Sequence, residues 1–436
     1  MRWLLGSAML HEIKRPLATM TAAEAASFAS WPSHFENTLL QDLRPEPADR
    51  NPYQSRQVMG AHYTRLRPNV KAPRPALVAY SPELAAELGI DPADCEGEEF
   101  MRFFAGGPPK DVECWATAYG ASFTGRYGGQ RGDGRAISIG QVRGQEVQLK
   151  GAGVTPFSRT ADGRAVLRSS VREFLGQECM HALGVPTSRS LCLFETGEEV
   201  VRMWYDDDGR QAIAREKGAV GTRVATSFLR FGQMELFAQT GQIELLRELA
   251  AHALDREYAS LRETNGEKGG GATAVGAEDE GEGRPNANAA ALNADLLLRF
   301  FDAVCQRHAR LVAEWMRVGY CQGNMNSDNS ALGGVTLDYG PFAFMERFAP
   351  FYNPWYGARG RSILHATPAT HLYDPARYQP PICMTLHATP ATRLYDPARS
   401  SHPFVCPPAA TYPTARSLAI APWSPTQGRR RQGVLV

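Results

Sequence analysis

A strand ending on a lysine, a glycine-rich loop and a helix carrying a glutamate follow one another in "EVQLKGAGVTPFSRTADGRAVLRSSVREFLGQE", residues 146–178. This succession constrains the fold more than any bulk property of the chain. "RAISIGQV" and "EVQLK" alternate apolar and polar residues on either side of an Arg-Gly-Gln turn, which predicts a β-hairpin ending at Lys150. Leu167, Val171, Phe174, Leu175, Ala182 and Leu183 then recur at helical spacing, and Gly184 with Pro186 supplies the stop. "LCLFETGEEVVRMW" reads as a second hairpin. Strands therefore dominate the middle of the first half, with one helix inserted among them.

After residue 220 the pattern turns helical, in "GTRVATSFLRFGQMELFA", "IELLRELAAHALDREY" and "ADLLLRFFDAVCQRHARLVAEWMRVG". The last of these presents Leu297, Phe300, Phe301, Val304, Leu311, Val312 and Trp315 as a buried side. Ser81 is placed to cap a shorter helix upstream. Residues 1–33 read as a leader, with the globular part starting near "FENTLLQDLRPEPADRNP". Residues 264–290 hold too few apolar side chains to offset the entropy of ordering and read as a disordered insertion. "LHATPATHLYDPAR" recurs 22 residues later as "LHATPATRLYDPAR" within a Pro-, Ala-, Thr- and Arg-rich stretch. Residues 357–436 are accordingly expected to be a low-complexity tail outside the folded core. The remaining division is a strand-rich lobe over 34–220 and a helical lobe over 221–356.

At 436 residues the chain is long enough for two lobes. Its 47 Lys+Arg and 46 Asp+Glu leave a formal charge of +1, which argues against nucleic acid as a partner. No apolar run is long enough to predict a membrane span. The eight cysteines contain no Cys-x-x-Cys pair, so neither a zinc centre nor a disulfide scaffold is signalled.

Several polar residues could carry chemistry. Asp328, Asn329 and Asp338 lie together in "GNMNSDNSALGGVTLDYGPF" at the end of the long helix. Asn329 and Asp338 offer the few oxygen ligands that suit magnesium, and Asp328 could take a proton from an attacking hydroxyl. In isolation, such a stretch would more often cap helices. Lys150 is one of only six lysines, in a chain that otherwise uses arginine. A strand lysine paired with a helix glutamate such as Glu173 is an element of the protein-kinase template. Glycine-rich "GQRGDGRA" precedes the hairpin, where backbone N–H groups could approach phosphate. Arg223 and Arg230 are seven residues apart, two turns on one face if helical, and such a pair could clamp a polyphosphate.

Taken in order, "GDGRA", "QLKGAGVTPFSRTADGRAVLRSSVREFL", "TRVATSFLRFG" and "NMNSDNSALGGVTLDYGPF" resemble the selenoprotein O family, also known as YdiU or UPF0061. The resemblance runs from about residue 35 to 356. It implies an α+β, protein-kinase-like two-lobed fold that binds ATP in an orientation reversed relative to kinases. It further implies transfer of AMP to Ser, Thr or Tyr hydroxyls of proteins with Mg2+ or Mn2+. On the matching positions, Lys150 and Glu173 would form the ion pair. Gly132, Gly134, Arg135, Asp162, Gly163, Arg223 and Arg230 would line the triphosphate pocket, together with Lys150 and Asp338. Asp328 would accept the proton, and Asn329 and Asp338 would hold the metal.

The chain departs from the family pattern at "YGASFTG", where members usually read Tyr-Gly-Gly-His-Gln-Phe-Gly, and at "CQGNMN". The family's helical region after the Asp-Tyr-Gly segment is replaced by the duplicated tail, so the helical lobe is expected to be truncated. The resemblance to eukaryotic members implies a mitochondrial location; the alternative is cytoplasmic. Ordinary phosphotransfer and nucleotide binding without turnover are the alternative functions.

Overall fold

The structure is a computed structural model that describes residues 28–123, 126–205, 211–263 and 287–347. Its strands are β1 (Tyr63–Arg65), β2 (Ala76–Tyr80), β3 (Trp115–Thr117), β4 (Gly120–Phe123), β5 (Arg126–Gln130), β6 (Ala136–Val142), β7 (Gln145–Lys150), β8 (Ala165–Val166), β9 (Arg189–Tyr205), β10 (Gln211–Ala225), β11 (Tyr320–Gln322) and β12 (Phe342–Phe344). The helices are α1 (Thr38–Asp42), α2 (Pro82–Glu87), α3 (Glu98–Gly106), α4 (Leu167–Ala182), α5 (Phe231–Gln239), α6 (Ile243–Glu257), α7 (Ser260–Glu263), α8 (Ala287–Ala290) and α9 (Ala294–Val318). An antiparallel sheet in the order β1-β3-β6-β7-β10-β9-β2, with β8 added to β10, precedes most of the helical residues. The architecture is α+β and consistent with a protein-kinase-like two-lobed fold.

The central hairpin forms where the sequence places it. Arg143 and Gly144 both adopt positive φ, 49° and 73°, the geometry of the tight turn that matches strand twist. Every residue of β6 is buried, the polar ones included. Ser138 donates to Glu146 at 2.6 Å across the hairpin, and Gln141 accepts from Thr38 Oγ1 at 2.7 Å, so the buried polar groups are satisfied. Ile137, Val147 and Leu149 join a core that also takes Phe100 and Phe104 from α3, Leu249 from α6 and Phe300 from α9.

Several sequence expectations are corrected. "LCLFETGEEVVRMW" is not a hairpin but part of one 17-residue strand, β9, whose partner is β10. Strand β10 continues to Ala225, so the strand-rich half does not end at residue 220. The expected leader overlaps the fold: Phe28–His34 forms a 3-10 helix in which Phe28 and Trp31 are buried against Phe103 and Phe104. The expected insertion ends earlier than residue 290, because Ala287–Ala290 is helical. Residues 264–286 and the tail at 357–436 lie outside the described residues. On α9 the buried residues are Leu296, Phe300, Val304, Leu311 and Trp315, whereas Phe301 is exposed. Ser81 caps α2 as expected, accepting from the Leu84 N–H.

Helix α4 departs most from its pattern. Its buried residues are Ser170, Glu173, Gly176, Gln177 and Met180, while Leu175 is 61% exposed and Leu183 is 43% exposed. The inward face is polar because it meets polar partners: Gln177 donates to Ser188 at 2.8 Å and accepts from Ser190 Oγ, and Glu173 meets two cations. We therefore expect Leu175→Ser to change unfolding stability by no more than ~0.5 kcal/mol. Phe104→Ala should cost about 3–5 kcal/mol. Urea unfolding of both variants checks this; a large loss at Leu175 would return that residue to the core.

Candidate active site

Lys150 closes β7 and lies opposite Gly221 of β10. Alternation along β10 puts Arg223 on the same face as Gly221, and α4 brings Glu173 to that face. Lys150 Nζ donates to Glu173 Oε2, and Arg223 Nε donates to Glu173 Oε1 at 2.6 Å. Asp338 completes the group: its Oδ1 accepts from Lys150 at 3.1 Å and from Arg223 Nη2 at 2.5 Å. Two cations and two carboxylates thus close a ring in which each carboxylate bridges both cations; Arg223 and Glu173 are buried, whereas Lys150 and Asp338 keep part of their surface open. The segment bearing Asp338 is fixed by its neighbours. Gln322 Nε2 donates to the Asp338 carbonyl at 3.0 Å, and Tyr339 hydrogen-bonds Thr187. Gly176 leaves room for the Tyr339 ring, since a Cβ there would lie 2.7 Å from it.

The electrostatics follow from burial and mutual attraction. Burial alone would raise both carboxyls, but Arg223 and Lys150 more than offset it, and both sit below the ordinary carboxylate range. Burial and then Arg223 lower the proton affinity of Lys150 against the pull of Asp338 and Glu173.

A cleft of about 640 Å³ lies nearby, lined among others by Gly132, Gly134, Arg135, Asp162, Gly163 and Asp328. It carries five arginines, at 131, 135, 159, 164 and 202, against the two aspartates. Thr155 Oγ1 donates to the Asp133 carbonyl at 2.7 Å and ties the loop before β6 to the loop after β7, which is itself closed by the Gly153 N–H donating to the Gly163 carbonyl at 3.2 Å. Asn69 clamps Val154 through both its amide groups, at 2.8 and 2.9 Å. Glycine is required at 132 and 163, where φ is 88° and 69° and a Cβ would run into Phe157 and Gly153 respectively. Asp162 is held by Arg202 at 2.7 Å.

Asp328 sits in a single 3-10 turn, Ser327–Asn329. Its Oδ1 is buried and has no hydrogen-bond partner among the described residues. Burial raises its proton affinity, with Arg230 opposing and Asp338 and Glu235 adding. Arg230 anchors the turn: its Nη1 donates to the Asp328 carbonyl at 2.9 Å, and its guanidinium lies 4.3 Å from the centre of the Tyr119 ring.

The structure brings the sequence candidates into two adjoining groups. Gly132, Gly134, Arg135, Asp162, Gly163 and Asp328 line the cleft. Lys150, Glu173, Arg223 and Asp338 form the ion cluster, whose Lys150 and Asp338 also feel the charge of Arg135. Arg223 and Arg230 do not share a helix face: Arg223 is on β10, and Arg230 precedes α5 as its cap residue. Both are buried and neither lines the cleft. Arg159 and Arg202 were not singled out from sequence. The first lies in the quoted loop, whereas Arg202 arrives from β9, far along the chain.

Among the described residues no three His, Cys, Asp or Glu side chains converge as a metal centre. Asn329 and Asp338 each offer oxygen of the kind a hard cation takes, and Asp328 Oδ1, next to Asn329 in sequence, is a buried oxygen with no partner among the described residues.

Fold and ion cluster define a protein-kinase-like chain. A family model for "Protein adenylyltransferase SelO" matches residues 50–390. Proteins called "Protein nucleotidyltransferase YdiU" are 44% identical over 329 residues in Azoarcus sp. (strain BH72) and 45% over 332 in Aromatoleum aromaticum. A third, from Rhodopirellula baltica, is 41% identical over 342 residues. The chain belongs to this SelO/YdiU family. The three matches cover 73–76% of this chain and 56–57% of the relatives, so the chain spans little more than half the length of the curated relatives it matches. The expected mitochondrial location is overturned, because these relatives come from bacteria, which have no mitochondria. No described helix is long and apolar enough to cross a membrane.

Removing one carboxylate from a buried cluster strands its cations. Glu173→Gln should therefore destabilise the fold at neutral pH by about 3–5 kcal/mol. Because the folded carboxyl lies below its ordinary range, its stabilisation is present above the unfolded pKa of about 4.3 and is lost as pH falls through the folded value. Urea unfolding across pH should show the gap between wild type and variant narrowing below about pH 4.

Proposed function

We propose that the chain transfers AMP from ATP to Ser, Thr or Tyr hydroxyls of proteins, in a metal-dependent reaction. The observation that carries this reading is the Lys150–Glu173–Arg223–Asp338 cluster adjoining an arginine-lined cleft that Asp328 also lines. Five arginines and the glycine-built loops suit a polyphosphate, whose charge they neutralise and whose position they fix.

In this reading the triphosphate lies along the cleft in an orientation reversed relative to kinases, so that the α-phosphorus meets the acceptor. Gly132 and Gly134 admit phosphate close to the backbone, Arg135 and Lys150 neutralise it, and Asp162 with Gly163 shapes the opposite wall. The acceptor oxygen bonds to the α-phosphorus as the bond to the pyrophosphate oxygen breaks, and Asp328 Oδ1 takes the hydroxyl proton. Burial of Asp328, which raises its proton affinity, suits that role. Asn329 and Asp338 would hold Mg2+ or Mn2+, which supplies further neutralisation of the phosphates. Arg223 and Arg230 act from behind: Arg223 orients Glu173 and Asp338, and Arg230 holds the Asp328 turn. We place the lobe division after β10 rather than at residue 220.

The test is incubation with Mg2+ or Mn2+ and ATP labelled separately at the α and γ phosphates, beside Asp338→Ala and Asp328→Asn. Protein-bound label from the α position only, falling on the order of 100-fold or more in both variants, is expected. Label from γ only would mean kinase chemistry, and no label from either would mean binding without turnover.

A further inference from the structure

One buried carboxylate beside the candidate site has not been assigned a role. Glu235 of α5 is 7% exposed and accepts two hydroxyl hydrogen bonds, from Ser122 Oγ on β4 and from Ser327 Oγ at 2.6 Å. Ser327 Oγ in turn accepts the Ser122 N–H at 2.8 Å, so the three residues close a triangle. Ser327 is 9% exposed and immediately precedes Asp328. The backbones are close enough that a Cβ on Gly232 would clash with the Gly120 carbonyl and lie 3.3 Å from the Ser327 carbonyl. Arg230, one residue before α5, grips the Asp328 carbonyl from the other flank. The same short helix and its cap therefore hold the Asp328 turn by a side chain on one side and a carbonyl on the other.

We propose that Glu235 is a positioning residue for the transfer reaction: through Ser327 it fixes the Asp328 turn, and through Ser122 it ties that turn to β4 beside the cleft. The inference rests on the proposed reading of Asp328 as proton acceptor. It also gives a physical part to Ser122, in the "YGASFTG" segment that departs from the family pattern. A carboxylate with two acceptor oxygens can take both hydroxyls at once, and a turn held this way needs no reorganisation when the acceptor hydroxyl arrives. Hydrogen bonding rather than charge does the holding, so a glutamine, whose Oε1 can accept from Ser327 while its Nε2 donates to a turned Ser122 hydroxyl, should largely replace the glutamate and an alanine should not.

The experiment compares wild type with Ser327→Ala, Glu235→Ala and Glu235→Gln. Three readouts are taken: kcat and KM for ATP with α-label, the shift of melting temperature on adding Mg-ATP, and amide exchange over residues 324–330. The alanine variants should lose on the order of 100-fold in kcat, with KM for ATP and the ATP-induced melting shift little changed. Exchange should quicken by about tenfold over 324–330 and stay unchanged in α6. Glu235→Gln should recover most of the kcat. An unchanged kcat in Ser327→Ala, a rise in KM without loss of kcat, or exchange that quickens equally in α6 would each overturn the proposal. A wild type that transfers no label refutes the proposed function instead, and the exchange comparison alone then decides whether Glu235 holds the turn.

Discussion

The structure depends on four charges, two buried and two largely enclosed, satisfying one another. Desolvating two cations and two carboxylates is costly, and attraction repays that cost only when geometry is good and every oxygen and N–H has a partner. Each carboxylate here meets both cations within hydrogen-bonding distance. The ring joins residues 23, 50, 115 and 188 positions apart. It can form only if the β7–β10 register, the rotation of α4 and the path of the Asp-Tyr-Gly segment are all correct. The outward turn of Leu175 follows from this, since α4 cannot present both Glu173 and its full apolar stripe to the sheet.

The cleft is a second consequence of backbone placement. Asp133 is buried and accepts from the Thr117 N–H at 2.9 Å and the Thr117 hydroxyl at 2.6 Å, which pins the first glycine loop to β3. Thr155 and Asn69 pin the second loop. With both loops fixed, their arginines and Arg202 of β9 line a cleft whose walls are already held in place. The Asp328 turn is held by Arg230 and Glu235, and Arg230 also reaches Asp133 Oδ1 at 3.5 Å, so the turn and the first glycine loop share an anchor.

How much was legible varied with the range of the interaction. The β6–β7 hairpin, the Ser81 cap and the Gly184 stop are local, and the sequence pattern matches the structure there. Lys150, Glu173, Asp328 and Asp338 stood out as chemistry-bearing residues, and their grouping followed from motif resemblance rather than periodicity. Where periodicity was used for long-range placement it misled. Apolar spacing on α4 marked the wrong face, the spacing of Arg223 and Arg230 suggested a helix where a strand ends, and a glycine within β9 imitated a hairpin turn. Arg202 and Glu235 gave no local signal, because each acquires meaning only from a partner on another element.

The sequence by itself determined the local elements around the lysine strand, the residue types available for phosphate, metal and proton chemistry, and the family to which they belong. Turn chemistry, capping and motif order act over a few residues and survive without knowledge of the fold. Only the tertiary structure decided which face of α4 is buried, that Arg223 and Arg230 are buried outside the cleft lining, and that Glu235 meets Ser327 of the Asp328 turn and Ser122 of β4. Those outcomes are set by burial and charge pairing between distant segments, and a buried charge finds its partner in space rather than along the chain.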